Sequence, residues 1–274
     1  LVERGETPCD GHGTVERCAA CVMVSRGSSP VAAEMLAKLP VPVSSALGRL
    51  PGPAGTALGL AASIARDASR RAALASIIDY QVVLNDVGRR ILLHDGVAAD
   101  RVVVNRLGID HQQVERKPPA AEAPTTGPVR FGYLGRIDRF KGVRELMQAV
   151  ARIPSDVALT LDVVGPVQPL GDPNFAPELE ALTRADARIR CHPPVKSAEV
   201  PAMLRGWDVL CCPSTGFENG PTVALEAMAV GTPVLATRIG NLAEIVEDGR
   251  NGRLVPPGDV SALAAAVREI ALAP

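Results

Sequence analysis

From residue 129 to the carboxyl end, apolar runs of strand length alternate with stretches of helical periodicity, and few folds accommodate that pattern. VRFGYLG (129–135), ALTLDVVG (158–165), ARIRCHP (187–193), WDVLCCP (207–213), PVLATR (233–238) and GRLVPP (252–257) read as strands. Between them KGVRELMQAVARI (141–153), PELEALTRA (177–185), SAEVPAMLRG (197–206), residues 221–230, NLAEIVED (241–248) and the closing segment 259–273 read as helices. The strands are mostly continuous apolar runs, as required when helices cover both faces of a parallel sheet. The pattern predicts an α/β, doubly wound, Rossmann-like domain that binds ligands beyond the carboxyl ends of its strands. No G-x-G-x-x-G follows any strand, which argues against a dinucleotide oxidoreductase.

Upstream the pattern is less regular. Residues 34–76, rich in Ala, Leu and Arg with Pro and Gly clusters, predict two or three helices. A strand at 80–86, a short helix at 88–97 and a strand ending at Gly108 then form a parallel sheet unit. Four prolines and no apolar periodicity mark residues 111–128 as an interdomain linker or long surface loop. The expected organisation is thus 1–110, a partial N-terminal domain, then the linker, then 129–274. With 47% hydrophobic but only 3% aromatic residues, the core must be aliphatic. A net charge of −1 without a long basic run gives no sign of a nucleic-acid surface or polybasic membrane anchor. No uninterrupted apolar stretch reaches the ~18 residues of a membrane span, so a cytoplasmic protein is expected, touching the inner membrane face at most peripherally. The start at Leu1 and the missing front half of the first domain suggest a fragment.

Cys191, Cys211 and Cys212 lie in apolar strands and read as small core residues. Cys9, Cys18 and Cys21 form C-x8-C-x2-C in a polar, turn-rich stretch. A CxxC pair is half of a structural zinc site, which His12 or an upstream residue would have to complete. Unliganded thiols or a transient disulfide are the alternatives.

Three loops at strand ends carry the residues suited to chemistry. Gly135, Arg136 and Lys141 follow the first strand, where glycine permits close approach and the two cations suit phosphate. Gly165 ends the second, either clearing space for a ligand or making a turn. The third is Glu218-Asn219-Gly220-Pro221-Thr222-Val223, leading into a helix that carries Glu226. Pro221 suits the first helical position, and the helix start is a ready anion site. Residues 221 to 226 rise about 7–8 Å at roughly 1.5 Å each, a span that separates a hexose from a ribose across a diphosphate. Glu226 has apolar neighbours on both sides, which makes its carboxylate costly unless paired or ligand-bound.

Taken together, FGYLGRIDRFKGVRELMQAV, the Gly165-Pro166 turn and the stretch from WDVLCCPSTGFENGPTVALEAMAVGTPV to GRNGRLVPPGD resemble the family 4 retaining glycosyltransferases of the GT-B fold. The resemblance implies that residues 129–274 are the half that binds a nucleotide sugar, a UDP- or GDP-sugar, with no cofactor or metal needed for catalysis. Arg136 and Lys141 would hold the diphosphate and stabilise the leaving group. Glu218 would sit by the donor sugar, as a positioner and charge stabiliser in front-face substitution rather than as a nucleophile. The backbone of Asn219, Gly220 and Pro221 would bind sugar hydroxyls, Thr222 and Val223 a phosphate, and Glu226 the ribose. Val195, in a loop with Pro194 and Lys196, would contact the base, although His192-Pro193-Pro194 stands where the family usually shows a glycine. The acceptor would be a glycan, a lipid-linked sugar or a small molecule, as in bacterial polysaccharide biosynthesis. The family histidine has no counterpart at His12, and the cysteine segment resembles an insertion found in some members. A glucan or sucrose-type synthase, or a non-catalytic sugar-nucleotide or protein-binding module of the same fold, are the alternatives.

Overall fold

The computed structural model describes residues 2–3, 7–8, 13–110, 116–117 and 127–272. The chain divides into two compact units, Leu1–Asn105 and Arg106–Pro274.

In the first unit β1 (Val2–Glu3) and β2 (Thr7–Pro8) form a short antiparallel ladder. Helices α1 (Val15–Ser25), α2 (Pro30–Ala37), α3 (Val41–Leu47), α4 (Gly52–Leu58) and α5 (Leu60–Ile77) follow. The Pro and Gly clusters divide the 34–76 region more finely than its composition predicts. Pro40 and Pro51 occupy N-cap positions and each opens a new helix, where a missing N–H costs nothing. The buried Ser44 hydroxyl ties these pieces together, donating to Leu58 O (2.6 Å) and accepting from Ala62 N (3.1 Å). The unit ends with β3 (Gln81–Val83), α6 (Asp86–His94) and β4 (Val102–Val104), whose strands pair in parallel.

The second unit contains β5 (Val129–Leu134), α7 (Val143–Ala151), β6 (Leu159–Val164), α8 (Phe175–Ala185), β7 (Ile189–His192) and α9 (Val200–Gly206). It continues with β8 (Val209–Cys212), α10 (Thr222–Ala229), β9 (Val234–Thr237), α11 (Leu242–Ile245), β10 (Gly252–Val255) and α12 (Val260–Leu272). Its six strands pair in parallel in the order β10-β9-β8-β5-β6-β7. One core cluster joins Phe131, Leu161 and Leu235 of the sheet to Leu146, Phe175 and Leu263 of α7, α8 and α12. The cluster containing Leu210, Val234, Leu204, Ala227 and Leu242 brings in α9, α10 and α11. Both faces are therefore covered at the centre, where every residue of β8 and β9 is buried and apolar runs result, whereas β6 alternates Thr160 and Asp162 with buried residues and the edge strand β7 buries only Ile189. The chain winds outward from β5 to β7, then restarts at β8 and winds the other way. β5 and β8 are neighbours whose onward connections diverge, opening a crevice at their carboxyl ends.

Two basic residues secure this unit away from that crevice. Lys117, within the stretch expected to be a linker, is fastened to it: its N–H donates to Val230 O (2.9 Å) and its ammonium to Trp207 O. Arg188 lies under the end of α7 and donates to Val150 O (3.0 Å), Ile153 O (2.9 Å) and Pro154 O (2.9 Å), carbonyls at and beyond the helix end. Its Nη2 also pairs with Asp186 Oδ2 at 2.7 Å. Hydrogen bonding from Arg188 holds the Asp186 carboxyl below the usual carboxylate range. No helix among the described residues is long and apolar enough to cross a membrane.

Arg188→Ala removes the shared donor and leaves several carbonyls and a carboxylate without their partner, so it should cost about 2–3 kcal/mol in equilibrium denaturation at pH 7. Because the folded-state pKa of Asp186 is depressed, its contribution exists above the ordinary carboxylate pKa and is lost as pH falls through the folded value. The gap between wild type and variant should therefore narrow below about pH 4. A gap independent of pH would contradict the ion-pair share of the effect.

Candidate functional site

The crevice is built by two loops pressed against each other. After β5 the chain runs through Gly135 and Arg136 to the buried Asp138, whose Oδ1 accepts from Phe140 N at 2.9 Å and folds the loop back. Tyr133 OH donates to Arg136 O and holds the start of the same loop. Gly142 then turns into α7 with φ +67°, and a Cβ there would stand 1.8 Å from Pro213 O in the loop after β8. Only glycine satisfies both the left-handed backbone and that approach. From the other side Thr215 N and Gly216 N both donate to Phe140 O (2.9 Å), and Thr215 Oγ1 donates to Arg139 O (3.1 Å). Thr237 Oγ1, at the end of β9, donates to Ser214 O at 2.6 Å, and Asn241 N donates to Glu218 O at 2.7 Å.

This joinery brings Lys141 to Glu218, with Nζ 2.6 Å from Oε1. Ser214 Oγ donates to the same oxygen at 2.5 Å. Arg136 stands across the crevice mouth with a largely exposed guanidinium, 3.7 Å from Asp138 Oδ2. The helix start lies beside these groups. Pro221 takes the N-cap rather than the first helical position expected from sequence, and α10 begins at Thr222 with no side-chain cap. Ala224 N–H donates to Pro221 O (3.1 Å), and the Thr222 and Val223 N–H groups, without a hydrogen bond among the described residues, make an electropositive floor with Arg136 and Lys141.

Gly135, Arg136, Lys141, Glu218, Gly220, Pro221, Thr222 and Val223 all line one cleft of about 230 Å³. Asn219 is exposed in the same loop. Glu226, one turn inside α10, is half-buried, and its carboxylate has no hydrogen bond or ion pair among the described residues; burial pushes its pKa up. Gly165 has a structural explanation: a Cβ there would lie 1.8 Å from Gly135 O, so it lets the β5 and β6 turns meet. Val195 packs, partly buried, against the core cluster shared with α9 and α10.

The cleft also takes in Tyr133, Leu134, Cys212, Ser214 and Leu242, which the sequence did not single out as site residues. Ser214 could have been suspected from its place four residues before Glu218 at the end of a buried strand. Leu242 had no signal, since it arrives from the turn after β9. Cys212, read as core, is indeed buried, but it also borders the cleft, and burial pushes its thiol up to about 12. At neutral pH it is therefore an unreactive wall. The proposed zinc ligands stand apart. Cys18 and Cys21 lie on α1, whose N-cap Thr14 starts the helix earlier than the polar composition predicts, while Cys9 and His12 fall outside the described residues. Among the described residues no cluster of three or more Cys, His, Asp or Glu could hold a metal ion.

A D-inositol 3-phosphate glycosyltransferase from Arthrobacter sp. is 38% identical to this chain over 132 residues, 47% of this chain and 31% of that protein. A glycogen synthase from Mycobacterium tuberculosis is 34% identical over 196 residues, 71% of this chain and 45% of that protein. The chain thus spans less than half the length of either. Among solved structures, HepE from Anabaena in complex with UDP-glucose superimposes with a TM-score of 0.61 at 22% identity, covering 80% of this chain and 58% of that one. Sucrose-phosphate synthase from Thermosynechococcus elongatus gives a TM-score of 0.59 at 27% identity, covering 75% of this chain and 53% of that one. The fold is accordingly α/β of GT-B type. The family described as glycosyl transferases group 1 matches residues 128–272, which take in the whole of the cleft and its sheet. Over half of its length, and throughout the unit that carries the cleft, this chain belongs to the glycosyl transferases group 1 family.

Proposed function

We propose that the cleft binds a nucleoside diphosphate sugar and serves the transfer of its hexosyl group to an acceptor hydroxyl with retention of anomeric configuration. The observation that carries this reading is the cleft that brings the uncapped start of α10 together with Arg136, Lys141 and Glu218, while Glu226 lies outside its lining, one turn further along the same helix. A diphosphate fits the electropositive floor, and each carboxylate can accept hydrogen bonds from a hydroxylated ring attached to it. The sugar lies toward Glu218 and the ribose toward Glu226. UDP-glucose in the structural neighbour from Anabaena supports this class of donor.

In the reaction the bond between the anomeric carbon and the phosphate oxygen breaks while the acceptor oxygen bonds to that carbon from the same face. The acceptor's proton passes to the departing phosphate oxygen. Charge builds on that phosphate, and the Arg136 guanidinium, Lys141 ammonium and helix N–H groups are placed to stabilise it without a divalent cation. Glu218 orients the sugar and faces the positive charge that develops on its ring. The region before the linker serves the acceptor side, and the protein works in the cytoplasm.

Isothermal titration with UDP-glucose and GDP-mannose tests the donor site. At least one should bind the wild-type chain, and Arg136→Ala and Glu226→Ala should each weaken it about tenfold or more. Failure of every nucleotide sugar to bind would overturn the reading.

A second expectation concerns the unliganded protein. Burial raises the Glu226 pKa in the folded state, so ionising it costs stability as pH rises above the unfolded value. Glu226→Gln should therefore raise the melting temperature at pH 7, and the gain should vanish below about pH 4, where the carboxyl is protonated in both states. A lower melting temperature at pH 7 would show that Glu226 stabilises the fold rather than waiting for a ligand.

A further inference from the structure

Two donors converge on one oxygen of Glu218. Lys141 Nζ lies 2.6 Å from Oε1 and Ser214 Oγ lies 2.5 Å from the same atom. Among the described residues, Oε2 accepts no hydrogen bond, and the side chain borders the cleft. The two donors differ in kind. Lys141 sits on a long flexible stem, 27% exposed, in the loop after β5 that lines the cleft. Ser214 is 3% exposed, on a backbone held by Thr237 Oγ1 at its carbonyl and by the adjoining Thr215 N–H to Phe140 O. Its hydroxyl has one rotatable bond and is fixed to the end of the sheet.

The geometry points to Ser214 as a positioning residue for the donor sugar, acting through Glu218. This rests on the donor-site reading and extends it to a buried residue at the cleft wall that acts through the carboxylate. A diphosphate entering over α10 competes with Glu218 for the Lys141 ammonium. Once Lys141 turns toward it, Ser214 is the remaining donor to Oε1. The carboxylate then keeps its orientation, with Oε2 presented to a sugar hydroxyl. Without the serine hydroxyl the carboxylate is free to rotate or to follow Lys141, and the alignment of the sugar is lost. The nucleotide, held by Arg136, Lys141, Glu226 and the start of α10, does not depend on Ser214.

That separation defines the test. Titration of the full chain with UDP-glucose and UDP, and with GDP-mannose and GDP, measures the affinity that the sugar adds to its nucleotide. Ser214→Ala should weaken whichever nucleotide sugar binds wild type by about five- to tenfold, leaving the bare nucleotide within about twofold. Ser214→Cys, close in shape and a weaker donor, should fall between. In a Glu218→Ala background, Ser214→Ala should change nothing further, because the partner is already gone. Equal weakening of sugar-bearing and bare nucleotide would assign Ser214 a merely structural role and overturn the inference. So would an undiminished Ser214→Ala effect in the Glu218→Ala background, or no effect in wild type. Should Ser214→Ala not fold, the Ser214→Cys titration and its Glu218→Ala double variant decide by the same criteria. If no nucleotide of any kind binds wild type, the donor-site reading falls first and this inference with it. Normal nucleotide binding with an unaffected sugar contribution overturns this inference alone.

Discussion

The closeness of Gly142 to Pro213 O is the constraint on which the site depends. It lets the loop that leaves β5 lie directly against the loop that leaves β8, at the one place in the sheet where the winding reverses. With any side chain at position 142 the loops would have to part by more than a bond length. The contacts that follow from this approach would then fail together: the two N–H groups on Phe140 O, the Thr215 hydroxyl on Arg139 O, and Lys141 against Glu218. A left-handed glycine far from any reacting atom thus decides whether the cation and carboxylate share one cleft.

Electrostatics then divide the labour in and beside that cleft. Lys141 and Glu218 pair with each other, and the buried Asp138 shares the loop with Arg136, so the two cations are held without being consumed. Glu226 is treated differently, since burial raises its pKa and nothing described neutralises it. Leaving a carboxylate in that condition makes sense where a partner arrives with the ligand. Ser214 adds a fixed hydrogen bond to a flexible ion pair, which separates orientation of the carboxylate from attraction of the phosphate.

Much of this was legible in the chain because the central strands of the second unit obey one rule. Every strand buried on both faces appears as an apolar run, so the sheet and its covering helices could be placed within a few residues from 129 onward. The residues at strand ends followed from the fold, and Arg136, Lys141, Glu218 and the start of α10 do converge. What sequence could not supply were contacts between loops distant along the chain. Gly165 read as either clearing space for a ligand or making a turn, and its close approach to the carbonyl of Gly135, thirty residues earlier, had no sequence signal. Pro221 was misplaced by one position because a proline fits both the cap and the first turn. Lys117 looked like part of a loose linker because its partners, Trp207 O and Val230 O, are backbone atoms with no sequence signature. The first unit was harder still, since its short helices are divided by prolines at N-caps and its small core is dominated by alanine.

A crystal structure of the chain grown with saturating UDP-glucose, or GDP-mannose if that nucleotide sugar binds better, would test the central claim most directly. The account predicts the diphosphate over the N–H groups of Thr222 and Val223, within reach of Arg136 and Lys141. It places the ribose hydroxyls on Glu226 and a sugar hydroxyl on Oε2 of Glu218, with Ser214 still donating to Oε1. A nucleotide bound elsewhere on the sheet, or one whose ribose and sugar leave both carboxylates untouched, would contradict it.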